Sequence, residues 1–466
     1  MKKLIMLIGV IVIVLTVLNG CGINTESTAQ EIETLVQARQ KFQTSIVDKK
    51  VDDYSVDTPP VGILETVRFT SPAGELDAYI TPDPQDGRKH PAIIWIVGGW
   101  SNSISSTAWE LAPMDNDQSA RAFREAGIVT MYPSRRGGNE NQLSKECWYG
   151  EIDDIVSAYD YLSNVSYVDP DRIYLGGHST GGSQAILTAE YTDKFRAVFS
   201  FGPKGSVKDS DSSYFTFDTK NSQEIQLRSP LLWVSSITTP TYIFEGEAGN
   251  SNFVKKYVDE AKKAEKSDLL SGYVIKDADH FSTLAPLTPL VAQKILTDTD
   301  EQVNIAFSEI ELANAMDEPK IITKDFFNEG NTYRISLSGD WANYDAGNPD
   351  NLFIISLDNR FYIDANSYPA DTFENMDDFL NVFNDNTLEE GDDMISDFKD
   401  IHISTATAAK QLTWVYDTTD GTLGSCLTFI QTESAFYIFS IGAYEDDYWE
   451  MEKELNAIPL TFEEVK

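Results

Sequence analysis

The sequence predicts two folded regions: an α/β domain with a mostly parallel eight-stranded sheet flanked by helices, then a C-terminal α+β domain with an antiparallel sheet. Three observations carry this expectation. Between Glu65 and Thr297, short apolar runs alternate with stretches of helical periodicity, the pattern of strands joined by helices. The later runs are continuously apolar, as strands buried on both faces of a parallel sheet are. Beyond residue 300 the composition changes: residues 301–466 hold 34 Asp and Glu against 8 Lys and Arg, and so carry −26 of the formal −38. With 466 residues and a 41% hydrophobic share, the chain has material for more than one core, which excludes a disordered or fibrous protein. The negative charge repels phosphate backbones, so nucleic acid is not an expected partner.

Taken in order, residues 1–20 read as a targeting segment: Lys2 and Lys3 precede an apolar run from Leu4 to Leu18. That run falls short of the ~20 apolar residues a bilayer span needs and suits a signal peptide. It ends in Leu18-Asn19-Gly20-Cys21, which resembles the bacterial lipoprotein processing site. The resemblance implies lipidation of Cys21 and a protein held on the cell membrane, facing away from the cytoplasm. Residues 21–57 form a polar tether and an amphipathic helix, expected over Glu31 to Val47 from the spacing of Ile32, Leu35, Val36, Phe42 and Ile46.

The α/β domain is expected over 58–300. Its strands are Glu65 to Phe69, Leu76 to Ile80, Ala92 to Val97, Ile128 to Met131, Arg172 to Leu175, Ala197 to Ser200, Thr241 to Phe244 and Gly272 to Ile275. Helices are expected over Asp117 to Ala126, Glu151 to Leu162, Gly182 to Tyr191, Phe253 to Ala264 and Leu287 to Leu296. The Ser-rich passage from Pro203 to Thr239 is too long for a simple connection and reads as a lid or binding loop.

Chemistry concentrates after the fifth strand, where Gly177-His178-Ser179-Thr180-Gly181-Gly182 joins a strand to a helix. Glycines around Ser179 allow the sharp turn that exposes a nucleophilic hydroxyl, and the following helix directs N–H groups at developing negative charge. A serine nucleophile needs a base, and four histidines are available. His178 adjoins the nucleophile and is expected to buttress the turn; His90 precedes the third strand and His402 lies in the acidic region. His280, in the loop after the eighth strand, is left as the base. The acid that orients it is expected after the seventh strand, in Glu245-Gly246-Glu247: Glu247 is the first choice, Glu245 the rival, and Asp209 the third. Oxyanion donors are expected from the Thr180 N–H and from Gly99 and Trp100 in the Gly98-Gly99-Trp100 loop.

These residues carry a family resemblance. Asp169 to Gly182, Ala278-Asp279-His280-Phe281 and the Gly98-Gly99 loop resemble the α/β-hydrolase family, nearest its prolyl-oligopeptidase-like and esterase branch. Pro133-Ser134-Arg135-Arg136-Gly137-Gly138 is similar to the Arg-Gly loop of that branch. The resemblance covers about 58–297 and implies ester or amide cleavage through an acyl-enzyme, with no cofactor. Two departures stand out: Val97 replaces a His common in the oxyanion loop, and Gly249 stands where an Asp acid is common. No propeller domain precedes the α/β region, so peptidase activity is not implied. The competing expectations are a peptidase acting on short peptides and an inactive binding protein that has kept the fold.

Residues 301–324 read as a linker. In 325–466, strands are expected at Tyr333 to Leu337, Leu352 to Leu357, Ile401 to Thr405, Gln411 to Tyr416, Ser425 to Glu433 and Ala435 to Ile441, with helices near Phe373 to Phe383 and Asp447 to Leu455. With Gly339-Asp340-Trp341 and a closing helix, this part weakly resembles PsbP/Mog1-like modules and is expected to bind an unidentified protein or ligand. Its Asp392-Asp393 and Glu445-Asp446-Asp447 clusters read as a solvated acidic face. Cys147 and Cys426 read as two buried thiols, and no metal-ligand spacing is present.

Overall fold

A computed structural model describes residues 33–317, 323–387, 393–394 and 396–465; the signal-peptide and Cys21 readings lie outside them. The chain divides into Met1–Thr34 and Leu35–Lys466, and the second unit holds every element below.

Its first sheet contains β1 (Glu65–Ser71), β2 (Gly74–Ile80), β3 (His90–Ile96), β4 (Val129–Pro133), β5 (Val168–His178), β6 (Val198–Phe201), β7 (Thr241–Gly246) and β8 (Leu270–Ile275), in the order β1-β2-β4-β3-β5-β6-β7-β8. The β1–β2 and β2–β4 pairs are antiparallel, and pairing from β4 through β8 is parallel. These are the eight strands expected from the sequence, and the arrangement is that of an α/β-hydrolase. The continuous apolar runs feed two cores at once. In β3, Ile93 and Trp95 pack on one face with Phe123, Phe199, Phe201 and Leu287, while Ile94 and Ile96 pack on the other with Ile155, Ala158 and Ala185. Each such side chain contributes about 1.5–3 kcal/mol on burial, so neither face of a central strand can be left open.

The helices are α1 (Leu35–Gln40), α2 (Ala122–Glu125), α3 (Glu151–Leu162), α4 (Thr180–Tyr191), α5 (Ser222–Gln226), α6 (Ser251–Lys263), α7 (Leu284–Thr297) and α8 (Glu309–Asp317). Two are shorter than their periodicity predicts. α1 stops at Gln40, because the backbone beyond it is claimed by the 203–239 passage: Ser45 N–H donates to Glu224 and Val47 N–H to the Thr216 carbonyl. The Asp117 to Ala126 helix begins only at Ala122, because Asp117 accepts from the N–H and hydroxyl of Ser119, a local turn that competes with helix. The expected linker also packs: Ile305, Phe307 and Leu312 join the core containing Phe199 and Leu287.

The 203–239 passage is pinned by a fully buried ion pair between Glu224 and Arg228. Thr44 bonds to both partners, and Arg228 lies 4.1 Å from the Phe217 ring centroid. Breaking one side of such a pair strands a buried charge. Arg228→Met is therefore expected to lower unfolding free energy by about 3–5 kcal/mol in urea titrations, and the Glu224→Gln/Arg228→Met double variant by less than the single.

The C-terminal part builds two antiparallel sheets. β9 (Thr323–Phe327), β10 (Tyr333–Ser338) and a terminal strand at Glu463–Glu464 make the smaller one. The larger contains β11 (Trp341–Tyr344), β12 (Leu352–Ser356), β13 (Phe361–Pro369), β14 (Asp393–Met394), β15 (Lys399–Asp400), β16 (Ala408–Thr418), β17 (Gly421–Gln431) and β18 (Ala435–Tyr444). α9 (Met376–Thr387) and α10 (Glu445–Ala457) accompany it. The expected strand at Ile401 to Thr405 is absent; only Ile401 N–H bonds to a strand neighbour, the Ala409 carbonyl. The connection after β3 is clamped against this part. Leu111 sits in its core cluster, Arg124 pairs with Asp340 at 2.7 Å, and Leu111 and Met114 N–H groups donate to Asp358 and Glu454.

Candidate active site

Ser179 stands between β5 and α4 with φ +55° and ψ −114°, outside the regions a non-glycine residue ordinarily occupies. The surrounding glycines make that turn sterically open. A Cβ on Gly177 would sit 2.7 Å from the Gly181 carbonyl carbon, one on Gly181 2.1 Å from the Ile96 oxygen, and one on Gly182 2.6 Å from the Phe201 oxygen. Ser179 N–H donates to the Phe201 carbonyl at 2.7 Å, which ties the turn to β6. The side chain is therefore carried at the carboxyl ends of the parallel strands, where open α/β sheets place their chemistry.

His280 follows β8, and its Nδ1 lies 3.0 Å from Glu245 Oε2. The carboxylate accepts, so Nδ1 carries the proton and Nε2 keeps its lone pair, the tautomer a general base needs. Glu245 is fully buried, while His280 is 20% exposed. Glu245 Oε1 accepts from the Gly246 N–H at 2.8 Å, so both carboxylate oxygens are engaged.

The expectation for the acid is thereby corrected: the carboxylate against His280 is Glu245, not Glu247. Glu247 is exposed, and its N–H is spent on the Ile275 carbonyl beside β8. Asp209 is exposed as well, with its backbone carbonyl accepting from Lys204. Glu245 reaches the imidazole from the strand end because two positions lack side chains. A Cβ on Gly249 would lie 2.4 Å from Glu245 Oε1, and one on Gly202 2.5 Å from His280 Cε1. The absent Asp at 249 and the Glu at 245 are thus one substitution in space: the carboxyl fills the room that glycine leaves.

His178 does buttress, but its contact is with the base rather than the turn. Its Nε2–H donates to the His280 carbonyl at 3.0 Å, and the two rings lie 4.6 Å apart. Burial, reinforced by the neighbouring His280, drives the His178 pKa down to about 3, so this imidazole stays neutral and holds the His280 loop as a donor. His90 is engaged with Asp86 at the start of β3.

On the other side of Ser179 lies the loop after β3. A Cβ on Gly98 would come within 3.3 Å of Ser179 Cβ, and Gly99 takes a positive φ of 85°. The Thr180 hydroxyl donates to the Gly99 carbonyl, joining the loop to the first residue of α4. Gly98 and Gly99 thus stand against Ser179 and Thr180, and Trp100 follows them in the loop. Trp100 is held flat against Trp148 and Tyr214, with interplanar angles of 5° and 6°, and its carbonyl accepts from Lys145.

Sequence reasoning missed the framework under this loop. Arg136 binds both oxygens of the buried Asp154, Asn102 bridges the Arg136 carbonyl and Glu151, and Asp52 from the N-terminal segment receives Lys145. The Arg135-Arg136 pair was a usable signal, since a guanidinium in an apolar domain needs a buried carboxylate. Among the described residues, no cluster of His, Cys, Asp or Glu could hold a metal ion. Cys147 and Cys426 are free and buried.

Residues 114–248, spanning α2 through β7, match the profile of the prolyl oligopeptidase family. The matched stretch holds Ser179 and Glu245, and His280 lies beyond it. The chain is similar to dipeptidyl-peptidase 5 of Porphyromonas gingivalis, 30% identical over 152 residues, which cover 30% of this chain and 21% of that relative. It thus spans about a fifth of that relative's length. Among solved structures it is similar to a puromycin-hydrolysing peptidase of Mycobacterium tuberculosis (17% identity, 51% of this chain and 39% of that one, TM-score 0.43). It is also similar to an esterase of Pyrobaculum calidifontis (16% identity, 51% and 86%, TM-score 0.39).

Proposed function

We propose that the protein is a serine hydrolase that cleaves ester or amide bonds through an acyl-enzyme. Ser179 attacks the carbonyl, His280 takes the proton and returns it to the leaving group, and buried Glu245 stabilises the imidazolium. The Thr180 N–H, with Gly99 or Trp100, receives the oxyanion; loss of one such donor costs roughly 2.7–4 kcal/mol of barrier. The observation that carries this reading is the 3.0 Å bond between His280 Nδ1 and Glu245, at the same strand ends as the strained Ser179 turn. The family of residues 114–248 supports a second substrate class, short peptides, attacked by the same groups. The test is turnover of short-chain aryl esters: wild type hydrolyses them and Ser179→Ala does not. Equal rates would replace the enzyme by a binding protein.

Lys2, Lys3, the Leu4 to Leu18 run and Gly20-Cys21 support a lipid anchor on the outer face of the cell membrane. No helix among the described residues is long and apolar enough to cross a membrane. The mature protein is expected in the membrane fraction, released by detergent and not by salt, because buried acyl chains hold it at ~0.8 kcal/mol per CH₂. Mass spectrometry of the N-terminal peptide checks this: an unmodified Cys21 or a different start would defeat the anchor and leave the hydrolase reading untouched.

A further inference from the structure

Between the α/β part and the C-terminal part lies a cavity of about 460 Å³. Its volume falls within the ~300–1,000 Å³ of small-molecule sites. The walls come from both sides: Leu111 and Met114 follow the Gly98–Trp100 loop, and Leu337, Trp341, Met451 and Leu455 belong to the C-terminal part. Ser282 and Pro286, just after His280, complete it. Neither Ser179 nor His280 lines it, so this space is separate from the proposed reaction site.

Two features narrow the occupant. The walls are mainly apolar, which selects a hydrocarbon chain or ring over a sugar or nucleotide. Arg121 is a cation of the wall with its side chain 11% exposed, and Lys453 is a second. The Arg121 Nε faces Asp117 at 3.4 Å and Glu125 at 3.7 Å, and its buried Nη1 has no acceptor among the described residues. That nitrogen lies beside Gly339, where a Cβ would stand 3.2 Å away. A buried donor without an acceptor costs about 1–3 kcal/mol, so an occupant oxygen placed there gains a hydrogen bond that no described group supplies. Two carboxylates already oppose this guanidinium, and Asp115 and Glu454 line the same cavity. With Arg121 and Lys453 set against these four carboxylates, a further negative charge is disfavoured there.

We propose that this cavity binds an uncharged, medium-chain acyl compound such as a fatty ester, its chain on the apolar walls and an acyl oxygen toward Arg121. The site goes beyond the hydrolase reading and does not require turnover.

The test uses the full mature chain with Ser179→Ala, so that no probe is consumed, and isothermal titration with methyl octanoate. Ala112→Phe and Ala457→Phe fill the cavity from opposite sides, and each is checked by thermal unfolding. Methyl octanoate is expected to bind saturably, and each filling variant to weaken it at least about tenfold, equivalent to ~1.4 kcal/mol. Octanoate is expected to bind more weakly than the ester. No saturable binding, or binding unchanged in both folded variants, would overturn the site; octanoate binding as tightly as its ester would overturn the uncharged occupant. Because every variant carries Ser179→Ala and binding rather than turnover is read, these results are independent of whether wild type is a hydrolase.

Discussion

Glu245→Gln is expected to lower kcat for ester hydrolysis by roughly 10⁴-fold, about 5.5 kcal/mol of barrier, while Glu247→Gln leaves it unchanged. The amide preserves size but removes the charge that stabilises His280 once it has taken a proton. It also lets the side chain donate to Nδ1, which favours the wrong tautomer. Glu245 is fully buried, so no solvent rearrangement replaces the lost charge. Glu247 is exposed and touches neither histidine nor serine through its carboxylate among the contacts described. Steady-state kinetics on both variants, with folded state checked by circular dichroism, decides between them. A large loss at Glu247 with a small one at Glu245 would reverse the assignment drawn from the 3.0 Å contact.

The second large effect is at Ser179 itself. Ser179→Ala is expected to reduce kcat by roughly 10⁴- to 10⁶-fold, leaving the residual rate that binding and oxyanion donors supply alone. In the proposed reaction Ser179, His280 and Glu245 act as a unit, so Ser179→Ala/Glu245→Gln is expected to be no slower than Ser179→Ala. Additive losses in that double variant would mean that the carboxylate serves something other than the imidazole.

Much of this site was legible before the structure. Ser179 is announced by glycines at 177, 181 and 182, because a strand-to-helix turn of that sharpness excludes side chains, and the excluded contacts are visible at 2.7, 2.1 and 2.6 Å. His280 followed from the small number of histidines and its place after β8. The acid was misread because sequence gives spacing, not reach. A loop carboxylate at 247 looked nearer to a loop histidine than one at the end of a buried strand. What reverses this is the space left by Gly202 and Gly249, a three-dimensional property of residues distant in sequence.

The fold divides similarly. All eight strands of the first sheet were readable, the inner ones because burial on two faces imposes unbroken apolar runs. β13 was missed in the C-terminal part: only Phe361, Ile363 and Ala365 alternate inward, while Asp364, Asn366 and Pro369 are poor strand formers. It nevertheless pairs with β12 and β18 along its length, so tertiary pairing overrides local preference. The α1 helix failed in the opposite sense. Its periodicity ran on to Val47, yet Glu224 and the Thr216 carbonyl offered the backbone better partners.

The Ser179 nucleophile is tested most directly by peptide mass spectrometry of the protein after exposure to a fluorophosphonate. A phosphonyl group is expected on a single peptide, attached to Ser179, in wild type, and greatly reduced in Glu245→Gln because the hydroxyl is no longer activated. Absence of an adduct from folded wild type, or an adduct on another residue that survives Ser179→Ala, would contradict it.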